Sequence, residues 1–372
     1  MTPIEVEIQA IAVVVAVSCA LPGVYLVLRR MALMSDAISH TVLLGIVLAF
    51  FVTGDLASPL LIFGAAATGV LTVVLVETLR RTRLVREDAS IGLVFPALFS
   101  VAVVLIARFA GSVHLDTDAV LLGELAFAPF RRLRAGGTDL GPMSLWVMGG
   151  ILLLNIIFIA ALYKELKVTT FDPALAAALG FSPALLHYGF MSVVSITAVG
   201  AFDAVGSVLV VSLMIAPPAA AYLLSDRLPT VLVLSAALGA MSALGGFWAA
   251  WLADASIAGS MATFAGGTFA AAFLFAPGRG VIAQARRRSR QRIDFAQLML
   301  AIHLLNHEGT PEADEENREA HLGRHLRWRP EFAQKVVRRA EGRAWIVRER
   351  DGLLQLTEPG RSAARRALSV EV

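Results

Sequence analysis

The sequence predicts an all-α polytopic membrane bundle of about nine spans, followed by a small soluble α+β domain. Three observations carry this expectation. The 372 residues are 57% hydrophobic and only 16% charged, with a mean hydropathy of +0.71, whereas soluble chains carry nearer a quarter charged residues. The charge is unevenly spread: residues 1–278 hold 13 Lys/Arg and 16 Asp/Glu, residues 279–372 hold 19 and 13, and together they give the net +3. The apolar runs are solid and do not alternate, which excludes a β-barrel porin, a single soluble globule and a disordered chain. These shifts divide the chain into a transmembrane domain over 1–278, a basic linker over 279–292 and a soluble domain over 293–372.

Apolar runs of membrane-crossing length fall at 8–28, 38–53, 59–79, 91–110, 143–162, 184–201, 206–224, 229–250 and 257–275, of which the second and sixth are short. Glu5 and Glu7 stand where a cleavable signal peptide would be basic, so the first run reads as a retained span. Basic residues follow every odd run: Arg29-Arg30, Arg80 to Arg86, Lys164 with Lys167, Arg227, and Arg279 with Arg286 to Arg288. The excess of Lys and Arg on the inner side then puts the N-terminus outside and the C-terminal domain in the cytoplasm. Arg131, Arg132 and Arg134 dissent, and an interfacial helix near 121–130 would accommodate them. Small residues at 64–69, 239–246 and 265–267 suit close helix–helix contacts.

Ionisable groups at membrane depth are expensive, so each one asks for a partner or a wet path. Asp36 and His40 are four residues apart and share one helix face. A carboxylate beside an imidazole suits a divalent first-row metal; the plainer reading is an interfacial Asp and a His bonded to a neighbouring helix. Asp203 lies between Gly200 and Gly206, where a broken helix would line a midplane site and an ordinary turn would not. Glu124, Asp116 and Asp118 are expected to face water. The single cysteine, Cys19, excludes a disulfide framework and a cysteine-based zinc site. Pro217-Pro218 kinks the seventh run. FDPALAAALGFSP at 171–183 is a short amphipathic helix, with Asp172 as its cap, Pro173 in its first turn and Gly180 as its stop. It is either a loop resting on lipid or a docking element for a cytoplasmic partner.

Four stretches in order resemble the membrane subunit of bacterial metal-ion ABC transporters, which import manganese, zinc or iron(II). They are LPGVYLVLRRMALMSDAISHTVLLGIVLAF at 21–50, LLGELAF at 121–127, FDPALAAALGF at 171–181 and VGSVLVVSLMIAPPAAAYLL at 205–224. The resemblance covers residues 10–278. It implies the type II importer bundle in a bacterial inner or plasma membrane, with two permease subunits over two ATPase subunits. A periplasmic or lipid-anchored metal-binding protein would deliver the ion. It further implies that Asp36 and His40 line the path, with Asp203 a further candidate, and that the helix around Asp172, Leu175, Leu179 and Gly180 enters the ATPase. No phosphate-binding G-x-x-x-x-G-K-[ST] loop and no H-E-x-x-H occur, so ATP hydrolysis must come from a separate subunit. No permanently bound cofactor is expected; the metal is cargo, and manganese is favoured because similar tails accompany that branch.

In the tail, 293–306, 315–328 and 330–341 read as amphipathic helices, 345–357 as a hairpin and 357–368 as a closing helix. That is a winged-helix-like order, and TEPGRSAARRAL resembles the close of metal-dependent repressors. A membrane-anchored metal-responsive DNA-binding regulator is therefore the alternative function, with Arg338, Arg339 and Arg343 as phosphate contacts. Two H-x-x-x-H pairs, His303/His307 and His321/His325, have chelating spacing and are candidate regulatory metal ligands, as four imidazoles from two antiparallel helices or as three with Glu316 or Glu319.

Overall fold

The computed structural model describes residues 2–54, 58, 60–109, 125–135, 138–350 and 352–369. Asp55, Asp116, Asp118 and Glu124 lie outside the described residues, as do the first four residues of LLGELAF. The chain forms two compact units, Met1–Gly280 and Val281–Val372.

The first unit is a helical bundle. Among the described residues, nine helices are long and apolar enough to cross a membrane, matching the nine expected. They are α1 (Pro3–Leu28), α2 (Leu33–Thr53), α3 (Leu60–Arg81), α4 (Glu87–Phe109), α5 (Met143–Ala161), α8 (Pro183–Val205), α9 (Ser207–Leu224), α10 (Leu228–Ala253) and α11 (Ile257–Phe275). Two shorter helices, α6 (Tyr163–Phe171) and α7 (Pro173–Ala178), connect α5 to α8. The second and sixth spans are longer than their apolar runs. α2 begins five residues earlier and takes in Asp36 and His40, while α8 extends past Asp203 to Val205. Helix needs only backbone hydrogen bonds, so a few polar side chains at its ends do not stop it.

α1 runs through the middle of the bundle, where Ile11, Val15, Cys19, Tyr25 and Leu26 are wholly buried. A threonine capping box starts it: Glu5 N–H donates to the Thr2 hydroxyl, and Thr2 N–H donates to the Glu5 carboxylate at 2.9 Å. Apolar side chains such as Val52, Phe63, Trp251 and Phe275 cover the outside, as a lipid-facing surface requires.

Small residues set the close crossings. Gly64 of α3 faces Gly45 of α2 so closely that a Cβ on Gly64 would lie 2.6 Å from the Gly45 carbonyl oxygen. Gly245 and Gly246 likewise admit Phe264 and Met261. In the third stretch Ala265 is wholly buried, whereas among the described residues a Cβ on Gly266 or Gly267 would meet nothing within 4 Å, and Gly267 lines an open cavity of about 810 Å³ between α10 and α11. Pro217 and Pro218 remain inside α9. Pro218 leaves the Met214 carbonyl without its helical donor, and Gly23 of α1 lies directly against that oxygen. Only Gly206 separates α8 from α9, at φ 80 and ψ 167, values that favour glycine.

An interfacial helix was expected near 121–130. The described part is a 3₁₀ turn, Leu125–Phe130, followed by a hairpin of β1 (Arg132–Ala135) and β2 (Thr138–Pro142).

The second unit contains α12 (Val281–Asn306), the single turns α13 (Ala313–Glu316) and α14 (Leu322–His325), α15 (Pro330–Gly342), the hairpin β3 (Ile346–Arg348) with β4 (Leu354–Leu356), and α16 (Glu358–Ser369). The basic stretch read as a linker over 279–292 is helical from Val281 onward. Leu300, Leu304, Leu322, Val336, Val337, Ile346 and Leu354 form its core. The helix expected over 315–328 is broken. Asn317 accepts from Leu354 N–H at 3.0 Å and Arg318 bridges to Leu353, so the backbone there serves the hairpin edge in place of a helix.

Candidate functional site

Asp36 sits in the first turn of α2 and His40 one turn on, so their side chains share a face. His40 Nε2 is 3.4 Å from Asp36 Oδ1. Phe95 of α4 stacks on the imidazole at 5.7 Å between centroids, and Phe99 meets it edge-on at 6.0 Å. Both polar side chains remain about one-third exposed, while the flanking Ser35, Ser39 and Thr41 are buried. Aromatic packing fixes the ring beside an acceptor that can share a cation with it, an arrangement open to a divalent ion.

Asp203 does not join this pair. Its carboxylate takes two hydrogen bonds from Arg131 Nη1, at 2.9 and 3.0 Å. Arg132 bonds Glu7 at 3.0 Å and also pairs with Asp139. Glu7 lies at the start of α1 and Asp36 just beyond its end. A helix of 26 residues is about 39 Å long, so Asp203 and the Asp36–His40 pair belong to opposite ends of the bundle. The same contacts account for two of the three dissenting arginines: Glu7, Asp139 and Asp203 balance Arg131 and Arg132. The Gly141 N–H, and then Arg132, hold the Asp139 carboxyl below the usual carboxylate range.

The 171–183 segment forms the expected short helix. The Asp172 carboxylate accepts from Leu175 N–H at 2.9 Å, Pro173 opens α7, and Gly180 ends it at φ 86. Ala176 is buried, whereas Leu175 and Leu179 project outward, roughly half exposed. Phe171 and Leu185 extend this apolar patch.

Sequence reasoning missed what holds the patch. Arg29, at the end of α1, donates to Thr170 Oγ1 at 3.1 Å and Thr169 Oγ1 at 3.4 Å on α6. Its guanidinium lies 4.9 Å over the ring of Phe190 on α8. One side chain thus fastens α1, α6 and α8 beside α7. Read as a topology signal, Arg29 gave no hint of partners 140 residues away.

In the second unit, His303, His307 and His325 gather around Glu316, and His321 turns elsewhere. Arg343 bonds Asp294 at 2.6 Å and Arg338 bonds Gln334 at 3.2 Å, so these two expected phosphate contacts have partners within the domain.

A family model described as the ABC 3 transport family matches residues 4–276. The chain belongs to the ABC 3 transport family. The zinc transport system membrane protein TroD of Treponema pallidum is 49% identical over 366 residues, 98% of this chain and 99% of that protein. The manganese transport system membrane protein MntD of Bacillus subtilis is 49% identical over 284 residues, 76% of this chain and 96% of that protein. The structure of PsaBC from Streptococcus pneumoniae in complex with Fab matches with a TM-score of 0.62 at 26% identity, over 75% of this chain and 94% of that one. The bundle fold is therefore that of an ABC importer permease. As an ABC 3 family permease the chain is a transport subunit, and ATP hydrolysis belongs to a separate subunit. The TroD match takes in the second unit as well as the first.

Proposed function

We propose that the chain is the membrane permease subunit of an ATP-driven importer of a divalent first-row metal ion. The Asp36–His40 pair, one oxygen and one nitrogen donor 3.4 Å apart in the matched bundle, carries this reading. Oxygen and nitrogen donors without thiolate suit manganese, iron(II) and zinc. TroD is named for zinc and MntD for manganese, and manganese is the favoured cargo. An extracytoplasmic metal-binding protein delivers the ion, and a second permease subunit completes the path.

The exposed Leu175–Leu179 face docks into a groove of the ATPase, and Arg29 passes its movement to α1 and α8. The N-terminus faces outward and the second unit the cytoplasm, because the basic residues after α1, α3, α5, α9 and α11 then lie inside. The pairing of Arg131 and Arg132 with acids supports this orientation.

The test is metal accumulation in an uptake-deficient bacterium expressing the chain with its ATPase and binding protein. Manganese, zinc and iron(II) are supplied separately. One metal should accumulate, and Asp36→Ala and His40→Ala should each abolish uptake while leaving the complex assembled in the membrane. Wild-type uptake by both variants would remove the pair from the path.

A further inference from the structure

Four of the protein's seven histidines lie in the second unit, and three of them converge. His303 and His307 are one turn apart near the end of α12, with ring centroids 4.7 Å apart. The His325 ring lies 6.0 Å from that of His303. Glu316 closes the group: its Oε2 is 2.8 Å from His307 Nε2 and its Oε1 is 3.9 Å from His325 Nδ1. One ligand atom from each of His303, His307 and Glu316 lies within 4.8 Å of the others.

We propose that His303, His307 and Glu316, with His325 as fourth ligand, form a binding site for a divalent first-row transition-metal ion. The site shares no residue with the proposed transport path. Of the two ligand sets open from the sequence, four imidazoles or three with a carboxylate, it is the second. His321 caps the turn that carries His325, but its Nδ1 lies 2.7 Å from the Glu315 carbonyl oxygen, so it holds the loop that carries Glu316 and is not a ligand. The carboxylate takes the fourth imidazole's place.

Charge distribution supports the assignment. Neighbouring acids are matched by arginine: Glu308 by Arg361, and Glu319 and Glu341 by Arg348. Among the residues whose side chains are described, no lysine or arginine pairs with Glu316; its ionic partners are His307 and His325. A carboxylate flanked by imidazoles is a metal-ligand set.

The geometry needs only modest closure. Ligand atoms about 2.1 Å from a tetrahedral ion are about 3.4 Å from one another, so side-chain rotation suffices. The bound ion would tie the end of α12 to the segment carrying α13 and α14, which are single turns otherwise.

The full-length chain in detergent, carrying Asp36→Asn and His40→Asn to silence the transport path, is titrated with Co²⁺. Calorimetry and the visible absorption of the bound ion are the readouts. One equivalent should bind saturably at micromolar concentration, with the strong absorption of four-coordinate cobalt. His307→Gln and Glu316→Gln should each weaken binding by more than the roughly 10–100-fold that losing an outer partner of a ligand costs. His325→Gln should weaken it less, and His321→Gln should leave the coordinating atoms and the spectrum in place. Elution of each variant at the wild-type position checks folding. Absence of saturable binding, or binding indifferent to both His307→Gln and Glu316→Gln, would overturn the proposal.

Discussion

Replacing Gly64 with alanine tests whether the α2–α3 crossing is set by backbone contact. The new methyl carbon would sit 2.6 Å from the Gly45 carbonyl oxygen and 2.9 Å from Ala49 Cβ, where ordinary contacts begin near 3.4 Å. The helices must therefore separate by roughly 0.8 Å. The obstructing atoms are backbone and a Cβ, which cannot rotate aside. Overpacking of this kind costs ~1–3 kcal/mol, and the rigid neighbours place Gly64→Ala at the upper end. Alanine's helix propensity returns about 1 kcal/mol, leaving a net loss of about 1–2 kcal/mol. Gly150, exposed on α5 with no atom within reach of a new methyl, is the control. There the propensity gain stands alone, so Gly150→Ala should stabilise by up to about 1 kcal/mol. Equilibrium unfolding of both variants in one mixed-detergent system separates opposite signs of the same substitution. If Gly64→Ala proves as stable as Gly150→Ala, the crossing yields easily and the close-contact argument fails.

Two further predictions concern the docking face. Changing Leu175 and Leu179 together to Asp should uncouple ATP hydrolysis from transport; normal uptake by a complex that still assembles would exclude this helix as the contact. Arg29→Gln removes the guanidinium over Phe190 and its two hydrogen bonds to α6. In proteoliposomes it should lower metal moved per ATP hydrolysed while ATPase binding persists, and an unchanged ratio would mean that Arg29 only packs.

The nine spans were legible because each must present a solid apolar length to lipid, and no other part of the molecule imitates that. Their ends were less so, since Asp36, His40 and Asp203 interrupt hydropathy without interrupting helix. The Asp36–His40 pair could be read because its geometry is local, fixed by one helical turn. The partner of Asp203 was not legible for the converse reason: Arg131 is 72 residues away, and nothing in the sequence near either residue signals the pairing. The tail repeats the lesson. Residues 315–328 have helical spacing, yet Leu353 and Leu354 claim the backbone at Asn317 and Arg318. That non-local choice ends the helix after Glu316, whose carboxylate then meets His307 and His325.

The single-residue junction at Gly206 has a mechanical consequence. α8 rises from just beyond the docking patch and, at 23 residues, extends about 35 Å before meeting that junction. A loop of several residues would absorb small displacements by flexing; one glycine supplies only its own φ and ψ. Tilting α8 at the patch end therefore leaves two outcomes, a change in Gly206 torsion or motion of α9 as a continuation of the same lever. α9 is seated against α1 where Met214 and Pro218 meet Gly23, so the far arm of that lever presses on the central helix. The chain has no slack at this joint, and its stiffness there is set by one residue without a side chain.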